Sequence, residues 1–218
     1  MTRETFNGQI KSLQDDLLAM GYLVDQAIER SIQALADRDM VLAQQIIDDD
    51  RVINRAQRDI DEKCLVLIAT QQPMASDLRI ILAISSLATD LERMGDHAEG
   101  IAKITLMMAD QPLLKPLIDI PRMAEKGRAM LQGQLEAFVQ HDVEAARRLA
   151  EDDEIVDDLY DQIFRELLVF MMSDPHTIPR ATYLLWVAHN LERIADRTTN
   201  IGERVIFLVT GQVEELNP

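Results

Sequence analysis

Apolar residues recur every three or four positions along almost the whole chain, the period of an amphipathic helix rather than the alternation of a strand. Leu13, Leu17, Met20, Val24, Ala27, Ile28, Ile32 and Leu35 form the first stripe and predict a helix over 6–35, closed by the turn Ala36-Asp37-Arg38-Asp39. A second stripe, Leu42, Ile46, Ile53, Ile60, Leu67 and Ile68, predicts a helix over 40–70. Gln71-Gln72-Pro73 ends it, because proline cannot continue the hydrogen-bond ladder. The third helix opens at Ser76-Asp77-Leu78-Arg79, turns Ile84, Leu87, Ala88, Leu91, Met94, Ala98, Ile101 and Ala102 inwards, and stops before Pro112. Pro112 to Pro121 is the proline-dense interval of the chain, which sets a boundary between 1–111 and 112–218. Beyond it helices are predicted over 121–139, 143–172 and 179–209, the last stopping at Thr210-Gly211.

The second half repeats the first. Asp90-Leu91-Glu92-Arg93-Met94-Gly95-Asp96-His97 is answered 100 positions later by Asn190-Leu191-Glu192-Arg193-Ile194-Ala195-Asp196-Arg197. Asp37-Arg38-Asp39 corresponds to Gln140-His141-Asp142 at an offset of 103, and Asp50, Asn54 and Leu65 correspond to Asp153, Asp157 and Leu168. Short turns between long helices imply antiparallel neighbours. The fold read from the sequence is therefore all-α: two tandem pseudo-symmetric three-helix bundles, six long antiparallel helices in all.

Composition agrees. Hydrophobic residues make up 47% and aromatics 4%, with few Gly and Pro, enough for a sizeable helical core and against disorder. Cys64 is the only cysteine and lies in an apolar run, so a buried reduced thiol is expected and no disulfide framework exists. No signal-like apolar region follows Met1–Phe6, and no apolar run approaches the ~18 residues of a membrane span. A cytoplasmic, soluble protein is expected, without direct membrane insertion. Twenty-two basic against 38 acidic residues give −16, the wrong sign for a nucleic-acid partner and a suitable one for metal ions or a basic patch on a protein.

The charge is patterned. Glu92 and Asp96 lie one helical turn apart at the edge of the apolar stripe, with Ser85, Thr89, Glu99 and Lys103 along the same line; the second copy runs Leu185, His189, Glu192, Asp196, Thr199 and Glu203. Carboxylates at i and i+4 repel and weaken a helix by a few tenths of a kcal/mol, so placing them there twice calls for compensation. On the second helix Asp50, Asn54, Gln57 and Asp61 share one narrow line, and the fifth offers Asp153 and Asp157 at the equivalent place. If these helices are neighbours, two carboxylates from the third and one or two from the second gather at one position, a set that suits hard cations such as Mg, Mn or Fe. His97, His141, His176 and His189 form no His-x-x-His or Glu-x-x-His set, against a ferritin-like di-iron centre or a zincin. Arg93 and Arg193 read as surface arginines that pair with acids one turn away. A carboxylate-bridged metalloenzyme and a purely structural helical dimer stand as the alternative functions.

Gln71-Gln72-Pro73-Met74-Ala75-Ser76-Asp77-Leu78-Arg79, the two Leu-Glu-Arg-x-x-Asp frames and Thr199-Asn200-Ile201-Gly202-Glu203-Arg204-Val205 together resemble the PhoU family of phosphate-specific transport accessory proteins, over nearly the whole chain. The resemblance implies the two-bundle fold and metal binding at Glu92 and Asp96 with Asp50 and Asn54, and at Glu192 and Asp196 with Asp153 and Asp157. It also implies a regulator rather than an enzyme, a negative one that bridges the phosphate transporter, through its ATPase subunit, and a sensor histidine kinase; the long helical faces make a homodimer the expected state. The chain departs from the family pattern at Gly100, where Asn is usual, and at Ala195 with Arg197, where Gly-Asp-His is usual; Asn200 keeps it.

Overall fold

The computed structural model describes residues 3–108 and 111–216, and all regular structure among them is helical. The order is α1 (Arg3–Asp37), α2 (Met40–Gln71), α3 (Ala75–Met107), α4 (Asp119–Gln140), α5 (Val143–Ala150), α6 (Asp153–Ser173), a 3-10 turn (Pro175–Thr177) and α7 (Ile178–Thr210). The six-helix plan is present with one correction, since the helix predicted over 143–172 is interrupted at Glu151 and Asp152. Four consecutive acids, Glu151 to Glu154, explain the break. Within a helix they would crowd like charges, whereas Asp153 and Glu154 in the first turn of α6 meet the positive end of its dipole. Lys126 of α4 holds Asp152 at 2.8 Å.

The turn that the sequence repeats at an offset of 103 is built the same way twice. Arg38 and His141 take left-handed backbone at φ 54° and 55°. Each is followed by an aspartate cap: Asp39 accepts from the amides of Val41 and Leu42, and Asp142 from that of Ala145. Gly211, at φ 76°, ends α7 where the sequence places the stop.

The α1 stripe of Leu13, Leu17, Met20, Val24, Ile28 and Leu35 is almost completely buried, and Ala27 is half-buried. It packs on α2 and α3, while α4, α5 and α6 pack on α7. The centre of the molecule is the contact between α3 and α7, the two helices that carry the repeated frames. Asp90 accepts from Arg197 and Asn200, both at 3.3 Å. One hundred residues on, Asn190 faces His97 Nδ1 at 2.9 Å, and a Cβ on Gly100 would stand 3.1 Å from its side-chain oxygen. The junction is thus pseudo-twofold, charged on one side and neutral on the other. Arg128 of α4 adds a second tie, gripping Asp25 of α1 through two nitrogens at 2.9 and 3.0 Å. Among the described residues no helix is long and apolar enough to cross a membrane.

Candidate metal centre

Buried positions on α2 run Ala43, Ile46, Asp50, Ile53, Ile60, Cys64 and Leu67, the three-and-four spacing of a packed helical seam. Asp50 therefore stands where an apolar residue is expected and is only 9% exposed. Gly95 lets α3 approach at this level, for a Cβ there would lie 3.1 Å from Ile53 and 3.5 Å from Asp50 Oδ1. On the far side of that contact Asp96 and Glu99 turn towards Asp50, and each of the three offers an oxygen within 4.8 Å of the others. Asn54 donates to Asp50 Oδ2 at 2.6 Å. Asp50 Oδ1 and the side-chain oxygen of Asn54 are buried with no donor.

Burial, followed by the charges of Glu99, Asp96 and Glu92, pushes the Asp50 carboxyl up to about 6. Glu92 is itself held above the usual range by burial and by Asp96, against the opposing charges of Arg93 and Arg58. Lys103 pairs with Glu99. Buried acceptors without donors call for a positive partner. An all-oxygen set of this kind fits a hard cation, with Asp50, Asp96 and Glu99 as the converging oxygens and Asn54 and Glu92 beside them.

The second acidic set is arranged differently. Asp153 is buried at the start of α6, Asp157 is exposed, and Glu192 and Asp196 are half-buried. Burial and then Asp196 raise both Asp157 and Glu192, so the acids of α6 and α7 do feel one another. Side chains of α7 itself pair with them: His189 Nδ1 lies 3.1 Å from Glu192, and Arg193 donates to Asp196 at 2.5 Å. Position 199, the counterpart of Glu99, is a threonine whose hydroxyl donates to the Asp196 carbonyl at 2.7 Å. The counterpart of Gly95 is Ala195. Among the described residues these acids do not close into a group like that of Asp50, Asp96 and Glu99.

Glu99 lies on the acidic line of α3 but belongs to no pair repeated in both halves, since its counterpart is Thr199. A carboxylate at a seam position of α2 is the signal that points to Asp50. Cys64 is 3% exposed, its thiol facing the Ile81 carbonyl at 3.7 Å, and burial pushes it up to about 11, which keeps it a thiol at neutral pH.

Fold and site together define a pseudo-symmetric, all-helical, acidic protein with an oxygen-rich candidate cation site in its first half. Comparison with known proteins is in keeping with that class. The family model described as the PhoU domain matches residues 17–105 and again 120–205. The phosphate-specific transport system accessory protein PhoU homolog of Pseudomonas aeruginosa is 38% identical over 209 residues, covering 95% of this chain and 86% of that one. The crystal structure of PhoU from Pseudomonas aeruginosa superposes with a TM-score of 0.90 at 38% identity, over 95% of this chain and 100% of that one. That of the phosphate transport system regulatory protein PhoU from Streptococcus pneumoniae gives 0.89 at 35% identity, over 96% and 99%. The chain belongs to the PhoU family.

Proposed function

We propose that this protein is a negative regulator of phosphate uptake and phosphate-starvation signalling rather than an enzyme. It works in the cytoplasm, as a homodimer, by contact with the ATPase subunit of a phosphate transporter and with a sensor histidine kinase. The observation that carries the reading is the extent of the likeness, 95% of the chain at 38% identity to a protein named as a transport-system accessory. The two family matches, 17–105 and 120–205, support a division into PhoU-type bundles over 1–111 and 112–218.

A Mg, Mn or ferric ion would be held by Asp50, Asp96 and Glu99, with Asn54 and Glu92 adjoining. The charge it supplies offsets the burial of Asp50 and its repulsion by Glu99, Asp96 and Glu92. Asp153, Asp157, Glu192 and Asp196 form the second, weaker position. In this reading the acids of the groove set the electrostatic surface that the kinase or transporter meets.

The test is expression of an alkaline phosphatase reporter in phosphate-rich medium with the gene deleted and then restored. High expression on deletion, reversed on restoration, is the expected result. Expression that stays low in the deletion strain sinks the reading.

A further inference from the structure

Asp50 has a second aspect, towards α1. The cleft between α1 and α2 holds a cavity of about 250 Å³, which Gly95 of α3 completes. Its lining is mostly apolar, with Ala27 of α1 and Ile46 and Ile53 of α2 among the residues that form it. Two acids take part, the exposed Asp49 and the buried Asp50. Arg30, the one basic residue there, reaches across from α1 to Asp49 at 2.8 Å, so its charge is already matched. Asp50 Oδ1 lies on the Gly95 side, 3.5 Å from where a Cβ on that glycine would stand, and it has no donor. Buried acceptors are almost always supplied with one.

The second half shows that the fold does not require this arrangement. By the offset of 103, Met130 takes the place of Ala27 and Leu149 that of Ile46, and by the offset of 100 Ala195 takes that of Gly95. Met130 is fully buried, whereas Ala27 is half-buried, and Leu149 presses on Gly133 so closely that a Cβ there would stand 2.8 Å from it. A hollow remains between α4 and α5, but it lies nearer the turn, between Gln140 and Asp152, and Asp153, the counterpart of Asp50, is outside it. The same helices thus pack with larger side chains at the level of the buried acid in one half and leave space there in the other. Interiors close-pack wherever nothing else is needed.

We propose that the α1–α2 cavity of the first half binds a primary alkylammonium group, its aliphatic part against Ala27, Ile46 and Ile53 and its head donating to Asp50. This goes beyond the regulator reading and does not depend on it. An apolar lining with one polar group that lacks a partner is the usual form of a small-molecule site. The sign of the head follows from Asp49 and Asp50, which would repel an anion, and an ammonium brings three donors to a carboxylate oxygen that has none. A metal ion at Asp50 turns instead to Asp96 and Glu99, neither of which lines the cavity, and has no use for aliphatic walls. The volume is about eight times the ~30 Å³ share of a water molecule, room for the head and a short aliphatic chain.

The test is calorimetric titration of the full-length protein, in chelator, with pentylammonium, 1-pentanol and pentanoate. Pentylammonium should bind saturably, about tenfold or more tighter than either control, because the difference is a charged hydrogen bond to a buried acceptor. Ala27→Met, which installs the residue of the second half, should weaken it about tenfold or more by filling the cavity, while Mn affinity stays within a few fold of the parent. Asp50→Asn keeps the shape and removes the charge, so it should bind pentanol as well as it binds pentylammonium; it decides the matter if Ala27→Met fails to fold. Nα-acetyl-lysine amide serves to place the source of the head. Binding tighter than that of pentylammonium assigns it to a lysine side chain of a protein, and weaker binding to a free amine. Absence of saturable pentylammonium binding, equal affinity for pentanol, parental affinity in folded Ala27→Met, or an ammonium preference that survives Asp50→Asn each overturns the proposal.

Discussion

The first half of this protein and its second half share one plan of helices, turns and acidic frames, yet they treat their carboxylates in opposite ways. In the first, a glycine at 95 and a glutamate at 99 bring Asp50, Asp96 and Glu99 together around a buried carboxylate oxygen that lacks a donor. In the second, an alanine stands at 195 and a threonine at 199, and the acids of α7 pair along their own helix, Glu192 with His189 and Asp196 with Arg193. A duplicated scaffold keeps its core pattern because packing demands it. Its grooves diverge, since a polar line at the core edge is constrained only by what it binds.

The largest effect follows directly. Removing two of three converging carboxylates, as in Asp50→Ala/Asp96→Ala, should lower affinity for Mn or Fe by about 100-fold or more, given that losing even an outer partner of a metal site costs about 10–100-fold. Asp157→Ala/Asp196→Ala should change it no more than a few fold. Isothermal titration of both proteins decides, and equal losses would erase the distinction between the halves.

Much of this was legible in the chain. The stripes gave the helices because the period of burial is also the period of the α-helix, and the frames at 92 and 192 gave the duplication. The interruption at 151–152 was hidden, since Ala150, Val156 and Leu159 keep the apolar rhythm running across it. Arg193 does pair with an acid one turn away, Asp196, as its spacing suggests. The site was half legible. Asp50, Asn54, Glu92 and Asp96 stand out as candidates by their lines, but which acids converge depends on how close two helices come. That distance is set by Gly95 against Ile53, a contact no periodicity displays.

That contact supports the next test. The counterparts of Ile53 and Gly95 are Val156 and Ala195, so one methyl group has moved from one helix to the other between the halves. In Gly95→Ala the new Cβ meets Ile53 at 3.1 and 3.2 Å. Crowding of about 1–3 kcal/mol is set against the better helix propensity of alanine, about 1 kcal/mol, for an expected net loss of about 1 kcal/mol. Ile53→Val alone should cost about 1 kcal/mol. Combined, they reproduce the second-half pair, and the double variant should be more stable than the sum predicts by about 1 kcal/mol or more. Additive denaturation midpoints would mean that the glycine does not set the approach of α2 and α3.

The smallest effect bears on the acids themselves with the cation removed. Asp50 is buried, accepts a single hydrogen bond, from Asn54, and faces Glu99, Asp96 and Glu92, so without a cation its charge works against the fold. Asp50→Asn keeps the shape, can still accept from Asn54, and gains an amide that can donate to the acids on α3. In the presence of a chelator it should raise the unfolding free energy by about 1 kcal/mol, seen as a rise of roughly 2–4 °C in midpoint for a chain of this size. Asp157→Asn, at an exposed position, should stay within about 0.5 kcal/mol of the parent. With saturating Mn the order for Asp50→Asn reverses, because the parent gains binding free energy on folding that the variant forfeits. A variant that is less stable than the parent in chelator would show that Asp50 is a structural carboxylate, and the contrast between the halves would then lie in packing rather than in what each groove holds.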